Sequence, residues 1–173
     1  FEVIKNKVES SIKNLMKYDS FLLKEDVNER SITHKLTEYL NEEFEEYDVD
    51  CEYNRMCKDN SIIPKRMKSF VEPIRSSDTE AKRVYPDIII HKRENEDNLL
   101  VIEVKKVNNN SNMKTDKEKL KSFTLNINNG FSYRFGLHLR FYVGENDYKL
   151  LPEGEWYEDG KIMEKMEFKS KLI

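Results

Sequence analysis

Residues 85–106 read YPDIIIHKRENEDNLLVIEVKK. Two β-rich runs, YPDIIIHK and NLLVIEVKK, flank the charged connection RENED, which is the pattern of a β-hairpin: strand formers on either side of a polar turn. Ile88, Ile89 and Ile90 on one run and Val101, Ile102 and Val104 on the other leave both faces apolar. Strand side chains alternate between faces, so these runs predict a sheet covered on both sides.

Register sharpens the reading. Centring the turn on Asn95 places Asp87 opposite Glu103, and a period of two sends Glu103 and Lys105 out of the same face, beside Asp87. Two carboxylates facing each other in a buried sheet are unfavourable unless a cation joins them. A hard divalent ion, Mg²⁺, meets that need, because it takes oxygen ligands, keeps several waters and sits on one or two carboxylates plus a phosphate. Asp87 and Glu103 would hold the metal. Lys105, which cannot ligate while protonated, would hold the attacking water or stabilise charge developing at phosphorus. That division of labour suits phosphodiester hydrolysis. The competing reading makes Asp87 a strand-entry residue after Pro86, and Glu103 with Lys105 an exposed ion pair of little energetic worth.

Outward from the hairpin, residues 2–17 carry Ile4, Val8, Ile12 and Leu15 at helical spacing. A second helix is expected from Asp26 to about Glu45, with Ile32, Leu36, Leu40 and Phe44 as its stripe. Residues 48–54 alternate as a half-buried strand, Val49, Cys51 and Tyr53 inward and Asp50 and Glu52 outward. Residues 55–83 lack periodicity, hold Pro64 and Pro73, and predict a long loop. TDKEKLKSFTLNIN (115–128) predicts a helix through Leu120, Phe123 and Ile127, and RFGLHLRFYV (134–143) a strand with Phe135, Leu137, Leu139, Phe141 and Val143 on one face. Asp159-Gly160 between WYE and KIM is a two-residue hairpin turn signal. The element order predicts an α/β domain with a mixed β-sheet flanked by helices. One domain is expected over residues 1–173, with its core at about 26–145 and a C-terminal β-hairpin at about 146–173.

The chain has 173 residues, 36% of them charged and 38% hydrophobic. That length suits one domain with a real core, and the apolar content is too high for a disordered chain. No apolar run reaches the roughly 20 residues that cross a bilayer, and the opening FEVIKNKVES holds no hydrophobic leader, so a soluble, cytoplasmic protein without a membrane partner is expected. Cys51 and Cys57 are too few for a disulfide framework and match no common metal spacing. His34, His91 and His138 also lack metal-ligand spacing and are read as packed or surface residues. The net charge of −3 is unevenly spread, with −7 over residues 1–54 and +4 over residues 55–83. A globally acidic chain argues against a histone-like coating role, while a local basic patch can still steer nucleic acid. Lys65, Arg66, Lys68, Arg75, Lys82 and Arg83 are its candidate phosphate contacts, with a solvated loop as the alternative.

Pro86-Asp87, followed after fifteen intervening positions by Glu103-Val104-Lys105, resembles the motif of the PD-(D/E)xK nucleases, the restriction-endonuclease-like superfamily. The resemblance implies a restriction-endonuclease-like mixed β-sheet flanked by helices. It implies a Mg²⁺-dependent phosphodiesterase acting on nucleic acid, DNA favoured over RNA, with Mn²⁺ able to replace Mg²⁺. Asp87 and Glu103 would be metal ligands, joined by the carbonyl of Val104, and Lys105 would be catalytic. Members also bring a carboxylate from the first core helix to the metal, which points to Glu29. A D-x-x-E capping box formed by Asp26 and Glu29 is the competing account. Asp116 and Lys119 resemble a D-x-x-K-L pattern of some members, although a solvated helix face with an i to i+3 ion pair is the preferred reading. Glu52 is read as facing water. Relatives that pair two active sites, together with the apolar stripe of the first helix, imply a homodimer or larger assembly. The functional alternative is a catalytically inactive nuclease-fold domain serving as a nucleic-acid-binding or protein-interaction module. The intact acid, acid, lysine trio disfavours it.

Overall fold

A computed structural model describes residues 1–53, 55–58, 61–64, 66–67, 82–83, 85–93, 95–109, 111, 113–125, 131–166 and 168. Helix α1 spans Glu2–Tyr18, a short α2 Ser20–Lys24 and α3 Glu29–Glu43. The expected stripe of α1 is buried at Val8, Ile12 and Leu15, and that of α3 at Ile32, Leu36, Leu40 and Phe44. The α1 stripe expected to offer a dimer contact is therefore spent inside the chain's own core. Helix α3 begins three residues later than anticipated. Asp26 has φ of 50°, a left-handed conformation that cannot start a helix, and Asn28 is the N-cap, its side chain accepting from the Ser31 amide at 2.9 Å. The capping box of Asp26 and Glu29 does not form.

Strand β1 covers Asp48–Cys51. It ends where Glu52 takes φ of 47°, so the expected alternation through Tyr53 fails. Val49 packs against the core under α1 and α3, whereas Tyr53 packs against the opposite one. Asp50 is not outward in water either, since it pairs with His91 and Arg93. The expected loop at 55–83 also contains paired strands, β2 (Arg55–Lys58) with β3 (Ser61–Pro64) and β4 (Arg66–Met67) with β5 (Lys82–Arg83). In sequence, β3 carries the strand-forming pair Ile62-Ile63, but β2, RMCK, holds no β-branched or aromatic residue to mark it as a strand.

The remaining elements are β6 (Ile88–His91), β7 (Asn98–Lys106), α4 (Met113–Thr124), β8 (Phe135–Phe141), β9 (Glu153–Glu158) and β10 (Lys161–Lys165). They build a six-stranded mixed sheet in the order β1-β6-β7-β8-β9-β10, parallel at β7–β8 and antiparallel elsewhere. The parallel step requires a crossover, which α4 supplies. Helices α1 and α3 cover one face, where Ile88, Ile90, Leu100, Ile102 and Val104 join Leu137, Leu139 and Trp156. Helix α4 covers the other through Leu120 and Phe123, against Ile89, Val101 and Tyr157. Gly136 permits its close approach: a Cβ there would meet Thr124 Cγ2 at 3.1 Å and Leu120 Cδ2 at 3.3 Å. The β9–β10 turn has φ of 48° at Asp159 and 73° at Gly160, as a type I′ turn demands. Through β9 this C-terminal hairpin extends the main sheet. Among the described residues, no helix is long and apolar enough to cross a membrane.

Candidate functional site

Strand β6 pairs with β7 through Ile88↔Ile102, Ile89↔Val101 and Ile90↔Leu100 before a register shift at His91. Extended by one residue, that register sets Asp87 opposite Glu103, the facing pair expected from sequence, although the turn itself is offset by one residue from a centre at Asn95. No backbone bridge forms there. Instead the Val104 amide donates to Asp87 Oδ2 at 2.8 Å, while the Asp87 carbonyl accepts from the Glu52 amide at 3.1 Å. Asp87 is thus fixed between the end of β1 and the middle of β7.

Glu103 is 1% exposed. Its Oε2 lies 3.3 Å from Lys119 Nζ, and its Oε1 has no hydrogen-bond partner among the described residues. Burial, reinforced by the charge of Asp87, pushes the Glu103 carboxyl well above the usual carboxylate range. Burial also raises Asp87, against the opposing pull of the Val104 amide. Both shifts mean that the ionised forms are disfavoured there, most of all at the fully buried Glu103.

The α4 face is not solvated. Asp116 is 3% exposed and sits over β7, with Lys119 Nζ 3.0 Å from its Oδ1 and Lys105 Nζ 3.5 Å from its Oδ2. The i to i+3 pair expected of Asp116 and Lys119 forms, but it turns inward onto Glu103. Burial works to lower the Lys119 pKa, and the carboxylates of Glu103 and Asp116 outweigh it and hold the ammonium above its ordinary value. Lys105 leans away from Glu103, lying 3.8 Å from Glu29 Oε2 as well as near Asp116.

Glu29, the first residue of α3, does not cap its own helix. Its carboxylate accepts from the Lys106 amide at 3.3 Å and from the Asn109 side chain, tying α3 to the end of β7. Asp26 pairs with Lys106 at 2.8 Å alongside. Glu52 is exposed and pairs with Arg30 at 3.0 Å. A cleft of about 440 Å³ opens here, lined by Glu29, Cys51, Glu52, Asp87, Val104 and Lys105 among others. Glu29, Asp87, Glu103, Val104 and Lys105 therefore come together at one end of the sheet, joined by Asp116 and Lys119. The D-x-x-K-L pattern was the available signal for those two, and helix amphipathicity argued against it.

No protein-family model matches the chain, and no curated protein does.

The donor set suits a hard divalent cation: two raised carboxylates, one with an unpaired oxygen, flank the Val104 peptide. Among the described residues, no group of three or more His, Cys, Asp or Glu side chains could hold a metal ion by themselves. One or two carboxylates completed by water and substrate oxygens is the mode Mg²⁺ favours. Of the basic residues expected to meet phosphate, Lys65, Lys68 and Arg75 lie outside the described residues, and Arg66, Lys82 and Arg83 fall in β4 and β5, whose side chains are likewise outside the description.

Proposed function

We propose that the chain is a metal-dependent nuclease of the restriction-endonuclease-like, PD-(D/E)xK type, hydrolysing phosphodiester bonds in nucleic acid, DNA favoured over RNA. The observation that carries this reading is Glu103: a carboxylate buried opposite Asp87 with one oxygen that has no hydrogen-bond partner among the described residues. A purely structural ion pair would use both oxygens, and a solvated one would not sit between two hydrophobic layers. The mixed sheet, the crossover helix and the hairpin register support the same fold type.

Asp87, Glu103 and the Val104 carbonyl would hold Mg²⁺, with Mn²⁺ as a substitute. The ion would polarise the phosphoryl group and bring the pKa of a bound water toward neutrality. Lys105, drawn between Glu29 and Asp116, is placed to hydrogen-bond the attacking water or the charged phosphoryl oxygens. Glu29 positions Lys105 and locks the end of β7. Lys119 neutralises Glu103 and Asp116, keeping two buried acids tolerable.

One observation favours a second reading. The Lys119 ammonium already contacts Glu103, so the acids have a resident counter-charge, as a catalytically inactive nuclease-fold domain used for binding would retain. Incubation with single-stranded and double-stranded DNA and RNA in Mg²⁺, Mn²⁺ or EDTA separates the two. Cleavage is expected with divalent ion alone and should fall by about 10²-fold or more in Asp87→Ala, Glu103→Ala and Lys105→Ala. Full activity in EDTA or in any of these variants refutes the assignment.

A further inference from the structure

A second cleft, of about 390 Å³, opens on the α4 side of the sheet across β8, lined by Lys117, His138, Arg140, Pro152, Glu155 and Met166 among others. His138 is the register partner of Glu103 across the parallel β7–β8 pairing, and Lys117 directly follows Asp116. Adjacent strands lie about 4.8 Å apart. The second cleft therefore begins about one strand spacing from Glu103.

The lining states what it would hold. His138 is 1% exposed, yet its Nε2 has no hydrogen-bond partner among the described residues. A buried polar atom at a cavity wall without a protein partner is one whose bonding capacity a ligand in that cavity can satisfy. Lys117 Nζ pairs with Glu155 at 2.6 Å and Arg140 with Glu153 at 3.0 Å, so a bare anion would have to compete with two carboxylates. Pro152 and Met166 add apolar wall. The combination matches a ligand with a flat, partly apolar body, hydrogen-bonding edges and one anionic group.

We propose that this cleft is a nucleotide subsite, holding the nucleoside and phosphate next to the bond cut at the Glu103 cluster, with His138 Nε2 as its hydrogen-bonding anchor. The choice of ligand rests on the nuclease reading above. His138 and Lys117 contact the substrate away from the reacting atoms, so they set affinity and strand placement rather than the chemical step.

The test is NMR observation of the His138 ring in the whole chain, in EDTA, titrated with deoxynucleoside monophosphates, the corresponding nucleosides and inorganic phosphate. Nucleotides should shift the His138 signals saturably, binding at least about tenfold tighter than either fragment. His138→Ala should weaken nucleotide binding about tenfold, and His138→Gln, which restores a polar group near that position, should recover part of the loss. Lys117→Met, a surface change that keeps the aliphatic stem, should weaken nucleotide but not nucleoside binding. The absence of a saturable His138 shift with any nucleotide overturns the proposal, as does phosphate binding as tightly as nucleotide. Nucleotide binding at His138 without cleavage of any nucleic acid upholds the subsite and refutes the nuclease. Cleavage with His138 untouched by nucleotides does the reverse.

Discussion

The Val104 amide donates to Oδ2 of Asp87 at 2.8 Å, so the acid that faces Glu103 also completes the β6–β7 ladder where the backbone bridges stop. The two duties separate by substitution. Asp87→Ala leaves a peptide N–H without its acceptor and should cost about 1–3 kcal/mol. Asp87→Asn keeps an acceptor oxygen while deleting the charge beside Glu103, and should be neutral or stabilising in EDTA. Urea unfolding of both variants reads the difference. A loss in Asp87→Asn as large as in Asp87→Ala would show that the charge itself is structural.

Stability should carry the mark of Glu103. Its folded pKa lies well above its unfolded value, so between the two the folded state binds more protons. The sign of the linkage then makes unfolding free energy fall as pH rises from the ordinary carboxylate range through the folded pKa. Asp87 acts in the same direction. In EDTA, the difference in stability between Glu103→Gln and the unsubstituted chain should grow in favour of the variant as pH rises above the ordinary carboxylate range. Added Mg²⁺ should reverse that trend in the unsubstituted chain, because bound cation stabilises the ionised form. A flat difference curve would show that Glu103 stays ionised at little cost.

Lys119 should prove more important to the folded state than a helix-face lysine. Lys119→Met removes the only cation within ion-pair distance of Glu103 among the described residues. Breaking a buried pair by removing one partner typically costs about 3–5 kcal/mol. Protonation of Glu103 should limit the loss here to the lower part of that range. Adding Glu103→Gln to Lys119→Met should restore most of the stability, and a double-mutant cycle measures the coupling. Additive losses would place Lys119 outside the cluster's energetics.

The basic segment should govern affinity alone. Reversing Lys65, Arg66 and Lys68 to Glu should weaken binding to all sequences alike and flatten the slope of log K against log salt by roughly one unit per lost contact. Cleavage at saturating substrate should survive, because Asp87, Glu103 and Lys105 are untouched. Unchanged affinity and salt slope would send the search for the binding groove to other surfaces.

The hairpin was legible because its information is local and redundant. Three consecutive isoleucines facing LLVIEV leave one workable register; the turn pairs Lys92 with Asp97, and the register shift at His91 restores the pairing that sets Asp87 opposite Glu103. The start of α3 was misread because Asp26 and Asn28 are equally good caps in sequence, and only the left-handed backbone at Asp26 excludes the first. Glu52 in the same conformation carries no compositional warning, being neither glycine nor asparagine, and it redirected Tyr53 to the other core. The burial of Asp116 is wholly tertiary. MKTDKEKLKSFT looks like a helix with a charged outer face until β7 presents Glu103 beneath it. Lys105 turned toward Glu29 for the same reason, since that partner comes from a distant part of the chain.

The strand pairing that joins the two acids is also the most local one in the centre of the sheet, confined to residues 85–106, whereas β1–β6 and β7–β8 each span far longer stretches of chain. Loop-closure entropy favours the short closure first. Asp87 and Glu103 are then brought face to face before α4 arrives with Lys119 to offset them. Their repulsion belongs to the folding barrier as well as to the finished molecule. Mild acid or a divalent cation should therefore quicken refolding while leaving unfolding comparatively unaffected, a kinetic signature of charges assembled early and neutralised late.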